Sequence, residues 1–268
     1  MMKTVSIIVP VFNESATVKE LLERVIAAPL PEGMDKEIVI VESNSTDGTR
    51  HLVQSFVNKT PDTAGLKMKL VLQDRPSGKG NAVRAGFDNA TGDIIIIQDG
   101  DLEYDVNDYP ILVQPILEGR THVVVGSRHL SAGSWKIRKF DQTPIRATIY
   151  NFAGIFFHGY FNLMFWSKVT DPTTMFKVFR RDCLKRIKLR GDRFEFDLEL
   201  LGKLILAGYV PFEVPVSYNS RGIEQGKKIR FFQDGYRCML MMTMCRLEYS
   251  LKALLKNLRL SGASSTRD

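Results

Sequence analysis

At 268 residues, with 44% hydrophobic and 25% charged content, the chain has the composition of one large globular domain, with or without a small appendage, and not of a disordered protein. Three cysteines (Cys183, Cys238, Cys245) in no C-x-x-C spacing argue against a disulfide framework or a zinc site, and no apolar run approaches the roughly 18 to 20 residues that span a bilayer. The net charge of +7 is uneven: from Ser220 onward ten Lys and Arg face four acids, which suits an anionic ligand or a lipid surface unless it is merely a solvated tail.

The opening segment carries one lysine and an apolar run that ends at Pro10, so a first strand is expected over Val5 to Val9 rather than a signal peptide. No secretion is expected, and a reducing, cytosolic setting is the default. A helix follows from Ser15 to Ala28, with Val18, Leu21, Leu22 and Val25 on one face. Glu37 to Val41 reads as strand, Asp47 to Val57 as helix, Lys67 to Leu72 as strand, and Asn81 to Ala90 as helix with Val83 and Phe87 inward. Ile94 to Ile97 reads as a strand buried on both faces, followed by a helix over Val106 to Leu117 and a strand over Val123 to Val125. This alternation predicts an α/β, doubly wound, mostly parallel sheet.

Beyond Gly126 the regularity fades. Tyr150 to Trp166 holds eight aromatics and reads either as a core helix or as an interfacial element meeting lipid head groups. From Tyr236, apolar residues at Met239, Leu240, Met244, Leu247, Leu251, Leu254, Leu255 and Leu258 recur by threes and fours, with Arg246, Lys252, Lys256 and Arg259 among the polar positions. An amphipathic helix is expected there, then a disordered tail over Ser261 to Asp268. The chain therefore divides at about residue 235 into a main domain and a basic C-terminal helix.

Several polar loops fall at one end of the predicted sheet. Pro10-Val11-Phe12-Asn13-Glu14 follows the first strand, Glu42 to Thr49 (E-S-N-S-T-D-G-T) the second, and Gly78-Lys79-Gly80-Asn81 the third. Ile94 to Asp105 (I-I-I-I-Q-D-G-D-L-E-Y-D) delivers Asp99, Asp101 and Glu103 to the same end, where open α/β sheets bind ligands. Carboxylates packed this closely repel one another unless a cation or water separates them. Taken singly, each loop has a plain reading, an acidic turn at Asp99 or a helix cap at Ser45 or Asp47. Their convergence is the stronger signal.

The set resembles the family-2 inverting glycosyltransferases of the GT-A fold, and within them the dolichyl-phosphate mannose and glucose synthases. The matching segments are Ser6 to Glu14, Ile38 to Thr49, Gly78 to Asp105, Val125 to Arg128, Asp171 to Arg181 and Phe194 to Glu199, which together reach over roughly residues 4 to 235. The resemblance implies a Rossmann-like nucleotide-binding half lined by Pro10, Phe12, Glu14, Glu42, Asp47, Lys79 and Asp99. It also implies a D-x-D metal site at Asp99 and Asp101, with Glu103 as a further ligand where these synthases often carry Gln. Two departures stand out: Glu42-Ser43 replaces a pair of aspartates, which leaves the nucleobase open, and Asp105-Val106 replaces Asp-Pro.

The implied chemistry has its own logic. A nucleotide-diphosphate leaving group needs its developing charge neutralised, and Mg²⁺ or Mn²⁺ on Asp99, Asp101 and Glu103 does this, making Asp101 a catalytic carboxylate. The donor is then a nucleotide sugar such as UDP-glucose or GDP-mannose. A polyprenyl (dolichyl or undecaprenyl) phosphate acceptor is already ionised and needs cations, for which Ser127, Arg128, Arg221 and Lys228 are the candidates. A saccharide or soluble hydroxyl acceptor instead needs a general base, Asp197 or Glu199, which point to different sides of a helix. A non-catalytic basic membrane module is a third, remote reading.

The expected setting is the cytosolic membrane face, bound peripherally. A homo-oligomer or a membrane-protein partner is open. No nucleic acid is expected, since Trp135 and Trp166 read as packing residues, and His51, His122, His129 and His158 show no metal-ligand spacing and read as structural or surface residues. A calcium loop is rejected because its sixth and twelfth positions are Tyr104 and Pro110.

Overall fold

The computed structural model describes residues 3–132, 144–219 and 231–264. Its strands are β1 (Thr4–Val11), β2 (Asp35–Glu42), β3 (Leu66–Leu72), β4 (Ile94–Ile97), β5 (Val123–Ser127), β6 (Lys177–Arg180) and β7 (Phe212–Pro215). The helices are α1 (Val18–Ala27), α2 (Thr49–Lys59), α3 (Lys79–Asn89), α4 (Tyr109–Leu117), α5 (Arg128–Ala132), α6 (Pro144–Phe165), α7 (Glu195–Leu206) and α8 (Phe231–Ser264). The strands form one sheet in the order β3-β2-β1-β4-β6-β5-β7.

All five expected strands and the helices between them are present, with ends shifted by a few residues. The Val106 to Leu117 helix begins as a 3₁₀ turn over Val106–Asp108 before α4. The pairs β1–β2, β1–β4, β2–β3 and β5–β7 are parallel. Two strands escaped the sequence reading, and β6 is the one that breaks the parallel rule, pairing antiparallel with both β4 and β5. Four residues, K-V-F-R, are too few to show a period of two. Because β6 runs backwards, its start lies at the carboxyl ends of its neighbours, so the Asp171–Met175 segment arrives at the same edge as the β1 and β4 loops.

The four isoleucines of β4 are fully buried, as a strand covered on both faces requires. On α1, Val18, Leu21, Leu22 and Val25 form the buried stripe, and on α3 Val83 and Phe87 face inward. The surprise is at the other end of β2, where Lys36 and Glu37 are buried. Lys36 Nζ donates to the carbonyls of Val25 (2.8 Å), Ile26 (2.7 Å) and Ala28 (2.7 Å), closing the carbonyl end of α1. Glu37 accepts from Ser6 Oγ, Thr91 N (2.8 Å), Thr91 Oγ1 (2.7 Å) and Lys69 Nζ (2.7 Å), so one carboxylate joins β1, β2, β3 and the turn before β4.

Burial alone would raise the Glu37 carboxyl, but the bonds from Lys69, Ser6 and Thr91 outweigh it and hold it at about 2. A depressed acid contributes stability that is whole above its ordinary value of 4.5 and is lost as pH falls through the folded value. Glu37→Gln should therefore cost about 1 to 3 kcal/mol in urea unfolding at neutral pH. That deficit should narrow as pH drops from 5 toward about 2; an unchanged gap would mean the network does not bind the charged form.

The last two long helices depart from expectation. In α6, Phe161 and Phe165 are buried while Phe156 and Leu163 are exposed, as is Trp166 just beyond it, so the aromatic segment serves both as core and as surface. Trp166, expected to pack, is 82% exposed, with a left-handed φ of 53° and the Arg246 guanidinium 5.0 Å over its ring. Trp135 lies outside the described residues. In α8 the buried side chains include Met242 and Cys245, while Leu240, Met244, Leu247, Leu251, Leu254 and Leu255 of the expected apolar stripe face outward. The helix α8 packs on α7 and α6, with Met242 and Cys245 buried and Cys238, Met239 and Met241 half-buried against the core, leaving the leucines uncovered. The helical backbone reaches Ser264, so the start of the expected tail, Ser261 to Ser264, continues α8. The three cysteines are free thiols. No helix among the described residues is long and apolar enough to cross a membrane.

Candidate active site

The loops after β1, β2, β3 and β4 meet where the strand order reverses, with β2 on one side of β1 and β4 on the other. A cleft opens there, with a volume of about 620 Å³. The β2 loop is latched to the β1 loop by its own polar side chains. Ser45 Oγ accepts from Asn13 N (2.9 Å), Thr49 Oγ1 from Glu14 N (2.9 Å) and Asp47 Oδ2 from Ser15 N (3.0 Å), while Asn13 Oδ1 accepts from Thr46 N (2.9 Å). Asn13 and Asn44 take left-handed φ values of 52° and 56°, which asparagine tolerates better than most residues.

These bonds decide what the expected nucleotide residues do. Pro10, Phe12, Glu14, Lys79 and Asp99 line the cleft, but Glu42 and Asp47 do not. Glu42 is fully buried and accepts from Ser45 N (2.7 Å), Asn44 N (3.2 Å) and Arg50 Nε. Asp47 also accepts from Thr49 N (3.1 Å), at the start of α2. Both hold the loop's shape, and Ser43, the second residue of the Glu42-Ser43 pair, is the residue of that loop that lines the cleft.

The D-x-D loop is fixed from below. Tyr104 Oη accepts from Met175 N (3.0 Å), Gln98 Oε1 accepts from Tyr109 Oη (2.9 Å), and Asp101 Oδ1 accepts from Glu103 N (3.0 Å). Asp99, Asp101 and Glu103 all line the cleft, and Glu103 Oε2 also accepts from Tyr218 Oη (3.0 Å). Their carboxylates do not converge as a trio. The one grouping of three candidate ligands within 4.8 Å among the described residues is His129, His158 and Asp171. Asp171 is already gripped by the Arg128 guanidinium, so a metal cation in that grouping would face a buried positive charge. Asp99 and Asp101 suit a cation that takes one or two carboxylates and completes its shell with phosphate oxygens, as Mg²⁺ and Mn²⁺ do.

Lys79 stands between the carboxylates. Its Nζ lies 2.7 Å from Asp99 Oδ1 and 3.7 Å from Asp197 Oδ2. Asp197 lines the cleft; burial raises its carboxyl more than Lys79 and Lys177 lower it, and its Oδ1 is buried with no hydrogen-bond partner. Glu199 points to the other side of α7, as the helical spacing requires. It accepts from Arg190 N (3.0 Å), Gly191 N (2.7 Å) and Lys203 Nζ (2.6 Å), which makes it a clamp on the preceding loop.

Also lining the cleft, Arg128 is buried and held edge-on by Asp171, with Nε to Oδ2 at 2.7 Å and Nη2 to Oδ1 at 2.8 Å. Its guanidinium lies 5.0 Å over the Tyr218 ring. Ser127, expected beside it, is fully buried and bonds Thr170 Oγ1 (2.7 Å) behind the cleft wall. Arg221 and Lys228 lie outside the described residues. Arg193, Thr173, Met175 and Tyr218 also line the cleft. Thr173 and Met175 sit inside the D-P-T-T-M-F-K motif and could have been found there, whereas Arg193 and Tyr218 carry no local signal.

The family model for glycosyl transferase family 2 matches residues 6–188. The chain is similar to the dolichol-phosphate mannosyltransferase of Pyrococcus furiosus, at 27% identity over 238 residues that cover 88% of this chain and 63% of that protein. It is similar to an undecaprenyl-phosphate 4-deoxy-4-formamido-L-arabinose transferase of Shewanella sediminis, at 30% identity over 192 residues, 72% of this chain and 53% of that protein. The chain thus spans less than two thirds of the length of either relative. Among solved structures, glucosyl-3-phosphoglycerate synthase from Mycobacterium tuberculosis, in complex with Mn²⁺, uridine-diphosphate-glucose and phosphoglyceric acid, matches with a TM-score of 0.59. That match has 17% identity and covers 91% of this chain and 80% of that one. The likeness establishes the expected GT-A architecture.

Proposed function

Because the chain belongs to glycosyl transferase family 2, we propose that it transfers one hexose from a nucleotide-diphosphate sugar to a polyprenyl phosphate, with inversion at the anomeric carbon. The observation that carries the reading is one continuous cleft lined both by Asp99, Asp101 and Lys79 and by the buried Arg128. The relatives named for dolichol-phosphate and undecaprenyl-phosphate transfer support the acceptor class.

Asp99 and Asp101 would hold Mg²⁺ or Mn²⁺, which supplies charge neutralisation at the leaving diphosphate. Lys79 adds a second positive charge beside them. Arg128, its fork held at Nε and Nη2 by Asp171, offers its remaining edge to an acceptor phosphate oxygen, which needs no deprotonation at neutral pH. That oxygen attacks the anomeric carbon as the bond to the diphosphate breaks, so the configuration inverts. Ser43 is the residue we place nearest the nucleobase, and donor choice between UDP-glucose and GDP-mannose turns on it. Incubation with each donor and short polyprenyl phosphates, with and without Mn²⁺, tests the reading; no lipid-linked sugar from any donor would overturn it.

Asp197 supports a second reading, transfer to a hydroxyl acceptor. Its buried, unpartnered oxygen and raised carboxyl are what a general base needs. Asp197→Asn then abolishes turnover. In the phosphate reading the same change leaves the nucleophile intact.

The acceptor's lipid tail implies a membrane surface. Leu163 and Trp166 at the end of α6, with Leu240, Met244, Leu247 and Leu251 of α8, form exposed apolar positions near Arg246 and Lys252. We place this face on the anionic lipid of the cytosolic leaflet. Sedimentation with phosphatidylglycerol vesicles should show binding that weakens as salt rises from about 0.05 to 0.5 M. Trp166→Ala with Leu247→Gln should weaken it by about tenfold. Salt-independent or absent binding would instead assign the face to a second copy or a protein partner.

A further inference from the structure

We propose that Lys79 is a built-in counter-ion that shares Asp99 with the divalent cation, so that metal and nucleoside diphosphate bind with positive coupling to each other. The inference rests on the donor reading of the cleft and adds an order of events to it.

The Lys79 ammonium lies 2.7 Å from Asp99 Oδ1, within direct ion-pair distance of a carboxylate assigned to the metal. It reaches Asp197 Oδ2 at 3.7 Å as well. A divalent cation approaching Asp99 and Asp101 therefore meets a positive charge already seated on one of them. Like charges at such a distance in a shielded cleft repel strongly, and the free protein should hold the metal weakly. A diphosphate would change the balance, because its oxygens would complete the shell of a metal held by Asp99 and Asp101 and would also offer Lys79 a new anion.

The backbone under Lys79 is poorly placed to move. Gly78 has φ +99°, and a Cβ there would lie 2.3 Å from the Asp192 carbonyl oxygen; one at Gly80 would lie 2.5 Å from both the Gly191 oxygen and the Phe196 Cβ. The loop backbone is closely packed at both glycines, so a change of partner for the ammonium would be made by the lysine side chain. The neighbour on its other side is the Met175 sulfur, a weak acceptor that is easily left. Asp197, still facing the cleft, marks where the side chain returns.

By reciprocity, whatever the diphosphate adds to metal affinity, the metal adds to diphosphate affinity. Removing the lysine charge should weaken the coupling, leaving the part that direct contact between diphosphate and metal supplies. The test is Mn²⁺ binding followed by the electron paramagnetic resonance of free Mn²⁺, alone and with UDP or GDP, on the wild type, Lys79→Met, Lys79→Gln and Lys79→Arg.

Wild type should bind Mn²⁺ weakly alone and about tenfold or more tightly with the fitting nucleotide. Lys79→Met should bind Mn²⁺ alone about tenfold more tightly than wild type, with coupling reduced to about threefold or less, and Lys79→Arg should keep the wild-type pattern. Lys79→Gln gives the same readout should the methionine variant fail to fold, as checked by thermal melting. Unchanged or weaker metal binding by the neutral variants overturns the proposal, as does tight Mn²⁺ binding by wild type with no effect of nucleotide. If wild type takes up no Mn²⁺ with either nucleotide, the donor reading itself falls and the proposal with it.

Discussion

Asp101→Asn is expected to lower kcat/KM by about 10³-fold, or roughly 4 kcal/mol of transition-state stabilisation, while the protein folds normally. The carboxylate is only 7% exposed and is aimed by its bond to Glu103 N, so the isosteric amide keeps the shape of the loop and loses the charge. An amide is a poor ligand for a hard divalent cation, and the leaving diphosphate then departs against its own charge. Steady-state kinetics with donor varied at saturating acceptor reads the loss, and unfolding by urea should differ from wild type by less than about 1 kcal/mol. Activity within about tenfold of wild type would remove Asp101 from the chemistry and leave Asp99 to hold the metal alone.

Arg128→Met is the variant with the largest expected effect on stability. Arg128 and Asp171 form a buried pair, with Asp171 fully buried, and removing one partner strands the other, at a cost of about 3 to 5 kcal/mol. Burial alone would raise the Asp171 carboxyl, but the Arg128 charge and its hydrogen bonds outweigh burial and hold it well below the ordinary aspartate value. In the wild type this depressed acid adds stability that is whole above about pH 4 and is lost as pH falls further.

Without Arg128 the sign reverses. Asp171 then favours its protonated form, so the variant's deficit should be widest at neutral pH and shrink as pH is lowered toward 5. Denaturant unfolding from pH 8 to 5 measures it, and Arg128→Met combined with Asp171→Asn should recover about half of the loss. A pH-independent deficit would mean the guanidinium acts by packing on Tyr218 rather than by pairing. Acceptor KM should rise in the single variant more than donor KM does.

The common direction of β1 to β4, and hence the end of the sheet at which the cleft opens, was legible in the chain because alternating apolar runs and polar loops repeat at short range. Asp99, Asp101 and Lys79 could be named for the same reason: each follows a strand whose direction the alternation sets. Glu42 shows the limit. Its position after β2 suggested a ligand contact, but the sequence could not show that Arg50 and two backbone N–H groups would claim its carboxylate. Glu199 was claimed in the same way by the Arg190–Gly191 backbone and Lys203.

What the sequence determined by itself was the class of fold, the end of the sheet that carries the loops, and the residue types delivered there, since all three follow from local periodicity. What tertiary structure decided was which carboxylates remain available to a ligand, which face of α8 is left uncovered, and that β6 runs backwards to bring Asp171 against Arg128. Those outcomes depend on contacts between residues far apart in the chain. Asp171 lies 43 residues from Arg128 and Asp197 more than a hundred from Lys79, and no local pattern records a pairing made only when the sheet closes.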